Sequence, residues 1–237
     1  MIHYAVIMSL LVLWTGLLIP FVILGKLVNP HGSLSHQLGR LWSQGILWMS
    51  RMRLEIEGSE HIDPGSQYIF ISNHTSAFDI PAIYYGLHNK LGMLAKKQLQ
   101  YVPFFGWAMW AAGHFFVDRK NHARAMAVMD QVALLMGERK DHSLVVFVEG
   151  TRSLDGQLGR FKKGAFLLSM SSGIPIVPVV INGAFKAKGK FERRISPATL
   201  RLTILPPMDP ADYAVESREQ FVDDARSHFV EHYNAPS

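Results

Sequence analysis

Tyr68-Ile69-Phe70-Ile71-Ser72-Asn73-His74-Thr75-Ser76-Ala77-Phe78-Asp79 is a short β-branched and aromatic run that gives way to a polar stretch of small residues. The first five residues read as a strand, and the polar stretch as the turn that leaves it. His74 and Asp79 are five positions apart, about 140° around a helix axis, so they cannot share a helical face. Their side chains meet only if His74 lies in the loop after the strand and Asp79 in the first turn of a helix. Pro81 supports that placement, because proline is tolerated close to a helix start. An aspartate bonded to one imidazole nitrogen fixes the tautomer and leaves the other nitrogen as a general base. Taken alone, the pair also fits a plainer reading, a histidine closing a loop and Asp79 as an ordinary N-cap.

The same alternation recurs on either side. Residues 144–148, 176–181 and 199–205 are further β-rich runs bounded by turn formers, and 123–139, 164–170 and 216–233 read as helices. Strands alternating with helices imply an α/β domain, layered around a largely parallel central sheet flanked by helices. There is no internal repeat and no long linker.

In open sheets of this kind, functional groups gather at the carboxyl ends of strands. Glu149-Gly150-Thr151-Arg152-Ser153 follows the 144–148 run in that way. Gly150 permits close backbone approach to a ligand, and Arg152 offers a planar fork for phosphate. A polar turn with a surface Arg–Glu pair is the alternative. Phe116-Val117-Asp118-Arg119 ends an apolar run and reads by itself as a surface ion pair. Ile174-Pro175-Ile176-Val177-Pro178-Val179 has two prolines in an apolar run, which predicts an edge strand. Lys96, Lys97, Lys162 and Lys163 add cations of the kind usually found on solvated faces.

Hydrophobic residues make up 49% of the 237-residue chain and charged residues 18%. Soluble domains carry roughly 25% charged residues, so the chain is apolar but not of disordered composition. It has no cysteine, which removes disulfide scaffolds, zinc–thiolate and iron–sulfur sites and cysteine nucleophiles. The net charge of +5 is uneven: residues 1–85 sum to −1, 86–164 to +6, 165–201 to +5 and 202–237 to −5. A basic middle calls for an anionic partner, a phosphorylated metabolite or an anionic membrane. Nucleic acid is disfavoured, since no DNA- or RNA-binding motif is present. Gly-x-Ser-x-Gly, Walker, Gly-x-Gly-x-x-Gly and His-Glu-x-x-His motifs are all missing, and no third metal ligand accompanies His74 and Asp79.

Tyr4 to Gly25 carries no charge. As a helix those residues span about 33 Å, matching a hydrocarbon core of roughly 30 Å. A buried helix or a signal peptide are the alternatives, but the start lacks cations and no cleavage site follows. Pro20 predicts a kink, so the run either crosses the bilayer or lies within one leaflet. Residues 34–52 mix Leu34, Leu38, Trp42, Ile46 and Trp48 with Arg40 and Arg51. That amphipathic pattern fits a lipid headgroup surface or docking onto the domain equally. Residues 1–52 thus read as a helical membrane anchor and 53–237 as the α/β domain.

In order and spacing, His74/Asp79, Phe116/Arg119, Glu149–Ser153 and Ile174–Val179 resemble the four blocks of the glycerolipid acyltransferase family. The matched region runs from about residue 68 to 181. Four blocks in register favour the catalytic reading of His74 over the loop-closing one. The resemblance implies transfer of an acyl group to the sn-2 hydroxyl of lysophosphatidic acid, with acyl-CoA or acyl-carrier protein as donor and no further cofactor. It implies His74 as base, Asp79 orienting it, and Arg152 and Arg119 toward the phosphate. By the same resemblance Lys96, in Leu94-Ala95-Lys96, would also reach that phosphate. Asn73, Glu149, Gly150 and Thr151 would shape the acceptor pocket. The family's two-helix N-terminus implies burial of residues 1–52 in the cytoplasmic face of the membrane. Ile80–Tyr85 and Tyr101–Trp110 are candidates to line an acyl groove. Another lyso-acceptor, glycerol 3-phosphate, or a membrane-binding protein without turnover are the competing readings.

Overall fold

The computed structural model describes residues 2–29, 33–118, 121–214 and 217–236. Two helices come first, α1 (Ile2–Val28) and α2 (Ser33–Met49), followed by strand β1 (Met52–Glu57). The chain then alternates: β2 (Ile69–Ser72), α3 (Asp79–Gly86), β3 (Lys90–Lys96), α4 (Phe105–Ala111), β4 (Phe115–Val117), α5 (His122–Glu138), β5 (His142–Phe147), α6 (Gly164–Ser172), β6 (Ile176–Asn182), α7 (Ala184–Ala187), β7 (Ala198–Ile204) and α8 (Arg218–His232). The strands form one sheet in the order β1-β7-β6-β2-β5-β3-β4. Every pairing is parallel except β6 with β7, so β1 and β7 run opposite to the other five.

Both faces of the sheet are covered, which is why β2 is buried at all four positions instead of alternating with polar residues. Strand periodicity still sorts its side chains. Phe70 points into a core shared with α1, α2 and α3, and Ile69 and Ile71 into a core shared with α5, α6 and α8. Phe70, Phe166, Phe221 and Phe229 are fully buried. Each contributes about 1.5–3 kcal/mol from leaving water.

The structure corrects the edge-strand reading of residues 174–179: β6 is central, between β2 and β7, and all seven of its residues are buried. Proline is accommodated there by the sheet's geometry. Ile69 N–H donates to Pro175 C=O, so the odd positions of β6 face β2. Pro178 therefore faces β7, just where that strand has ended at Ile204 and the chain continues as Leu205-Pro206-Pro207. Its carbonyl still accepts from Leu205 N–H at 2.9 Å, and pairing resumes at Ile176 with Met208. The missing donor falls in a local break of the ladder.

α1 runs through Pro20 and beyond the expected end to Val28. The 25 residues Tyr4–Val28 are long and apolar enough to cross a membrane, and little of this helix is buried. One stripe of it packs inward: Ile7 and Leu18 are buried, and Trp14 Nε1–H donates to Trp42 C=O at 3.1 Å. α2 ends at Met49, three residues short of its predicted end, and Arg51 takes a positive φ of 55° before β1 begins. Of its two readings, docking is what the structure shows. Ser43, Ile46 and Leu47 are buried, and Gly39 passes so close to α3 that a Cβ would lie 2.5 Å from the Tyr84 ring.

Candidate active site

Three neighbouring strands, β2, β5 and β3, end side by side at their carboxyl edges, and the loops that leave them carry the chemistry. Past β2, Asn73 is fully buried; its Nδ2 donates to Ile181 C=O at 2.9 Å and its Oδ1 accepts from Ile181 N–H at 2.8 Å. In place of the substrate contact expected for it, Asn73 ties the loop to β6.

His74 follows in the loop, and Asp79 opens α3, as the spacing requires. His74 Nδ1 and Asp79 Oδ2 are 2.9 Å apart. The same oxygen accepts the N–H groups of Thr75 at 2.7 Å and Ser76 at 2.8 Å. Asp79 is completely buried, and the N-cap position belongs to Phe78, which makes no side-chain cap. The aspartate thus folds the loop around itself and presents one oxygen to the imidazole. The His74 ring stacks on Phe147 of β5, with centroids 4.0 Å apart and planes 18° from parallel. With Nδ1 committed to Asp79, Nε2 is the nitrogen left for a substrate.

Past β5 comes Glu149, only 7% exposed. Its Oε2 accepts from His74 N–H at 3.2 Å and its Oε1 from Gly159 N–H at 3.0 Å. Burial raises its carboxyl above the usual range, against the downward pull of those two N–H groups. A return bond, Ser153 N–H to His74 C=O at 2.8 Å, locks the two loops together. Gly150 sits at φ +70°, a conformation that side chains rarely adopt, and this reverses the chain to bring Arg152 round. Thr151 is exposed, and its Oγ1 accepts from Lys190 Nζ at 3.3 Å.

Arg152 and Lys96, the last residue of β3, both line a cavity of about 470 Å³ that includes His74. The rest of its wall is mainly apolar: Leu18 and Val22 of α1, Leu38 and Trp42 of α2, Ile80 of α3 and Phe105 of α4. Arg152 also borders a second, more open cavity of about 1000 Å³, shared with Glu149, Gly150, Arg160 and Lys162. Arg119 lies outside the described residues. Sequence reasoning missed Phe147 as the support of the His74 ring, because stacking across β2 and β5 leaves no local spacing signal. It also missed Lys190, beyond β6, whose Nζ donates to Thr151 Oγ1 and Arg152 C=O, although its charge was visible in the sum for residues 165–201.

The arrangement unites a buried-carboxylate–imidazole pair, an apolar cavity and a cationic rim, a set suited to moving a proton from a hydroxyl on an anionic amphiphile. Residues 53–182 match the family model described as Acyltransferase. The 1-acyl-sn-glycerol-3-phosphate acyltransferase of Limnanthes alba is 33% identical over 219 residues, covering 92% of this chain and 72% of that protein. The human 1-acyl-sn-glycerol-3-phosphate acyltransferase alpha is 34% identical over 169 residues, 71% of this chain and 59% of that one. The crystal structure of the 1-acyl-sn-glycerophosphate (LPA) acyltransferase from Thermotoga maritima shares the fold, with a TM-score of 0.79 over 97% of this chain and 92% of that chain, at 23% identity. With a family match over more than half its length and a relative that it covers so fully, this chain belongs to the acyltransferase family.

Proposed function

We propose that the protein transfers a fatty acyl group from a thioester, acyl-CoA or acyl-carrier protein, to the sn-2 hydroxyl of 1-acyl-sn-glycerol 3-phosphate, forming phosphatidic acid. The observation that carries this reading is His74, oriented by Asp79, at the wall of an apolar cavity whose rim holds Lys96 and Arg152. The names of the relatives agree with it.

His74 Nε2 takes the proton of the acceptor hydroxyl as its oxygen attacks the thioester carbonyl. The tetrahedral intermediate collapses with loss of the thiolate, and the imidazolium returns its proton to that sulfur. Asp79 stabilises the imidazolium without itself being protonated. No acyl-enzyme is needed. Glu149 acts by holding the His74 and Gly159 backbones. An alkyl chain fits the apolar cavity, and Arg152 and Lys96 meet the phosphate at its rim.

The membrane is the source of such an acceptor. α1 exposes Leu13, Leu17, Phe21, Leu24 and Leu27, and the neighbouring α4 region exposes Tyr101, Phe104, Trp107 and Trp110. Apolar helix and interfacial aromatics together suit insertion from one side, and soluble thioester donors make that the cytoplasmic face. The test is chromatography of labelled products after purified protein in mixed micelles is given acyl-CoA or acyl-carrier protein and a panel of lyso-acceptors. Phosphatidic acid should be the main product. Faster acylation of a neutral or zwitterionic lyso-lipid would overturn the reading.

A further inference from the structure

Residues 232–236, outside the four sequence blocks, fold back from the end of α8 as a strap across the carboxyl edge of β6. Asn182, the last residue of β6, clamps the strap at two points. Its Nδ2 donates to His232 C=O at 2.9 Å, and its Oδ1 accepts from Asn234 N–H at 2.8 Å. Between those bonds, Tyr233 Oη donates to Gly156 C=O, in the loop that carries Arg152. Gly156 has φ +81°, and a Cβ there would lie 2.3 Å from Pro236 Cγ, so the strap packs directly on that turn.

The strap closes a ring of hydrogen bonds around the site. On one side Gly156 N–H donates to Ser153 Oγ at 3.0 Å, and Ser153 N–H donates to His74 C=O at 2.8 Å. On the other, Asn182 follows Ile181, whose N–H and C=O hold the side chain of Asn73, next to His74. Arg152 immediately precedes Ser153 in this ring. Tyr233 lines neither cavity, so any part it plays is played through the loop. Burial, and then the carboxylates of Asp79, Glu149 and Asp155, push its hydroxyl up to about 12, which keeps it a donor to Gly156 at neutral pH. A guanidinium fork grips a phosphate only when it is held at the right distance and angle, so a bond that fixes its loop acts on binding without touching the ligand.

We propose that Tyr233 is a positioning residue for the acceptor phosphate: its bond to Gly156 sets where the Arg152 guanidinium stands relative to His74. The inference rests on the acyl-transfer reading and deepens it. The defect it implies is selective. His74 is held separately, by Asp79 and by the stacked Phe147 ring, so loosening the Arg152 loop leaves the base in place. The phosphate then binds less well, while acceptor that is bound reacts at its normal rate. Such a change falls on KM and spares kcat.

The test uses the full-length protein in mixed micelles with oleoyl-CoA and 1-oleoyl-glycerol 3-phosphate. Tyr233→Phe, which removes only the hydroxyl, should raise the KM of the phosphate acceptor by about 3- to 10-fold, the worth of one hydrogen bond. Both kcat and the KM of oleoyl-CoA should stay within about twofold of wild type. Tyr213→Phe, which removes a hydroxyl bonded to Asp224 instead, should change neither KM. In an Arg152→Ala background Tyr233→Phe should add nothing, because no guanidinium is left to place. An unchanged acceptor KM, a loss shared by kcat and both KM values, or a full additional loss in the Arg152→Ala background would each overturn the positioning role. Wild-type protein that acylates no phosphate acceptor would overturn the acyl-transfer reading, and the inference with it.

Discussion

One oxygen of Asp79 accepts from the His74 ring and from two backbone N–H groups. An amide at that position can still accept the backbone bonds through its carbonyl oxygen, but it no longer offers a charge to the imidazolium and disturbs the tautomer. Asp79→Asn should therefore lower kcat by about 10³- to 10⁴-fold with little change in thermal stability. His74→Ala should abolish turnover, because His114, the other histidine of the cavity wall, has its Nδ1 bonded to Met93 N–H and lacks the orienting carboxylate that Asp79 gives His74. Both are checked by steady-state rates alongside circular dichroism; a folded His74→Ala retaining near-normal turnover would remove His74 from the chemistry. At this scale the sequence was informative where the signal is local. The spacing of His74 and Asp79, with Pro81 behind them, sufficed to place one in a loop and the other at a helix start. Asn73 was misread because its partner, Ile181, is 108 residues away and reachable only through the sheet.

Among the elements, α1 has two roles that its apolar sequence does not separate. Its outer surface exposes apolar side chains such as Leu13, Leu17 and Phe21, while Leu18 and Val22 wall the cavity and Trp14 packs so tightly that a Cβ at Gly45 would lie 2.4 Å from its indole nitrogen. Deleting residues 1–28 should therefore release much of the chain from membranes or aggregate it. Acyl transfer should fall by more than tenfold even in detergent, where membrane attachment no longer matters. Sedimentation with and without carbonate, paired with micellar assays, checks this. Full-length chain recovered as a soluble monomer without detergent would contradict the anchoring role. α1 was legible because twenty-two uncharged residues leave few alternatives. β1, β3 and β4 were not. β1 continues directly from the amphipathic α2 region, and β4 has only three residues. β3 contains Gly92, which lets its backbone approach Gly113 C=O but breaks the β-rich pattern. The prolines of β6 suggested an edge because their tolerance depends on where β7 ends, a property of the pairing and not of the strand.

In the whole molecule, the helices that close the cavity also trap two histidines. His114 is half-buried in the cavity wall, with Nδ1 accepting Met93 N–H at 3.2 Å, and its ring meets the Tyr84 ring edge-on at 5.8 Å. His36 of α2 also packs against the Tyr84 ring, with centroids 5.9 Å apart. Burial lowers both to about 4, and for His36 the charges of Arg40, His142 and Lys90 add to it. An unfolded histidine titrates near 6.5. Between about pH 6.5 and 4 the unfolded chain thus takes up protons that the folded chain refuses. Stability is fully present above that window and is lost as the pH falls through it, with a slope approaching about 1.4 kcal/mol per pH unit for each histidine. Because these rings join α2, α3 and the β3–β4 edge around the cavity, acid should open the molecule on the side where α1 and α2 close it. Urea midpoints in mild detergent at pH 7.5, 6 and 5 should fall steadily. His114→Gln, which keeps an acceptor for Met93 N–H but cannot titrate, should flatten that slope. An unchanged slope in the variant would mean that other groups, not these buried imidazoles, govern the acid limit of the fold.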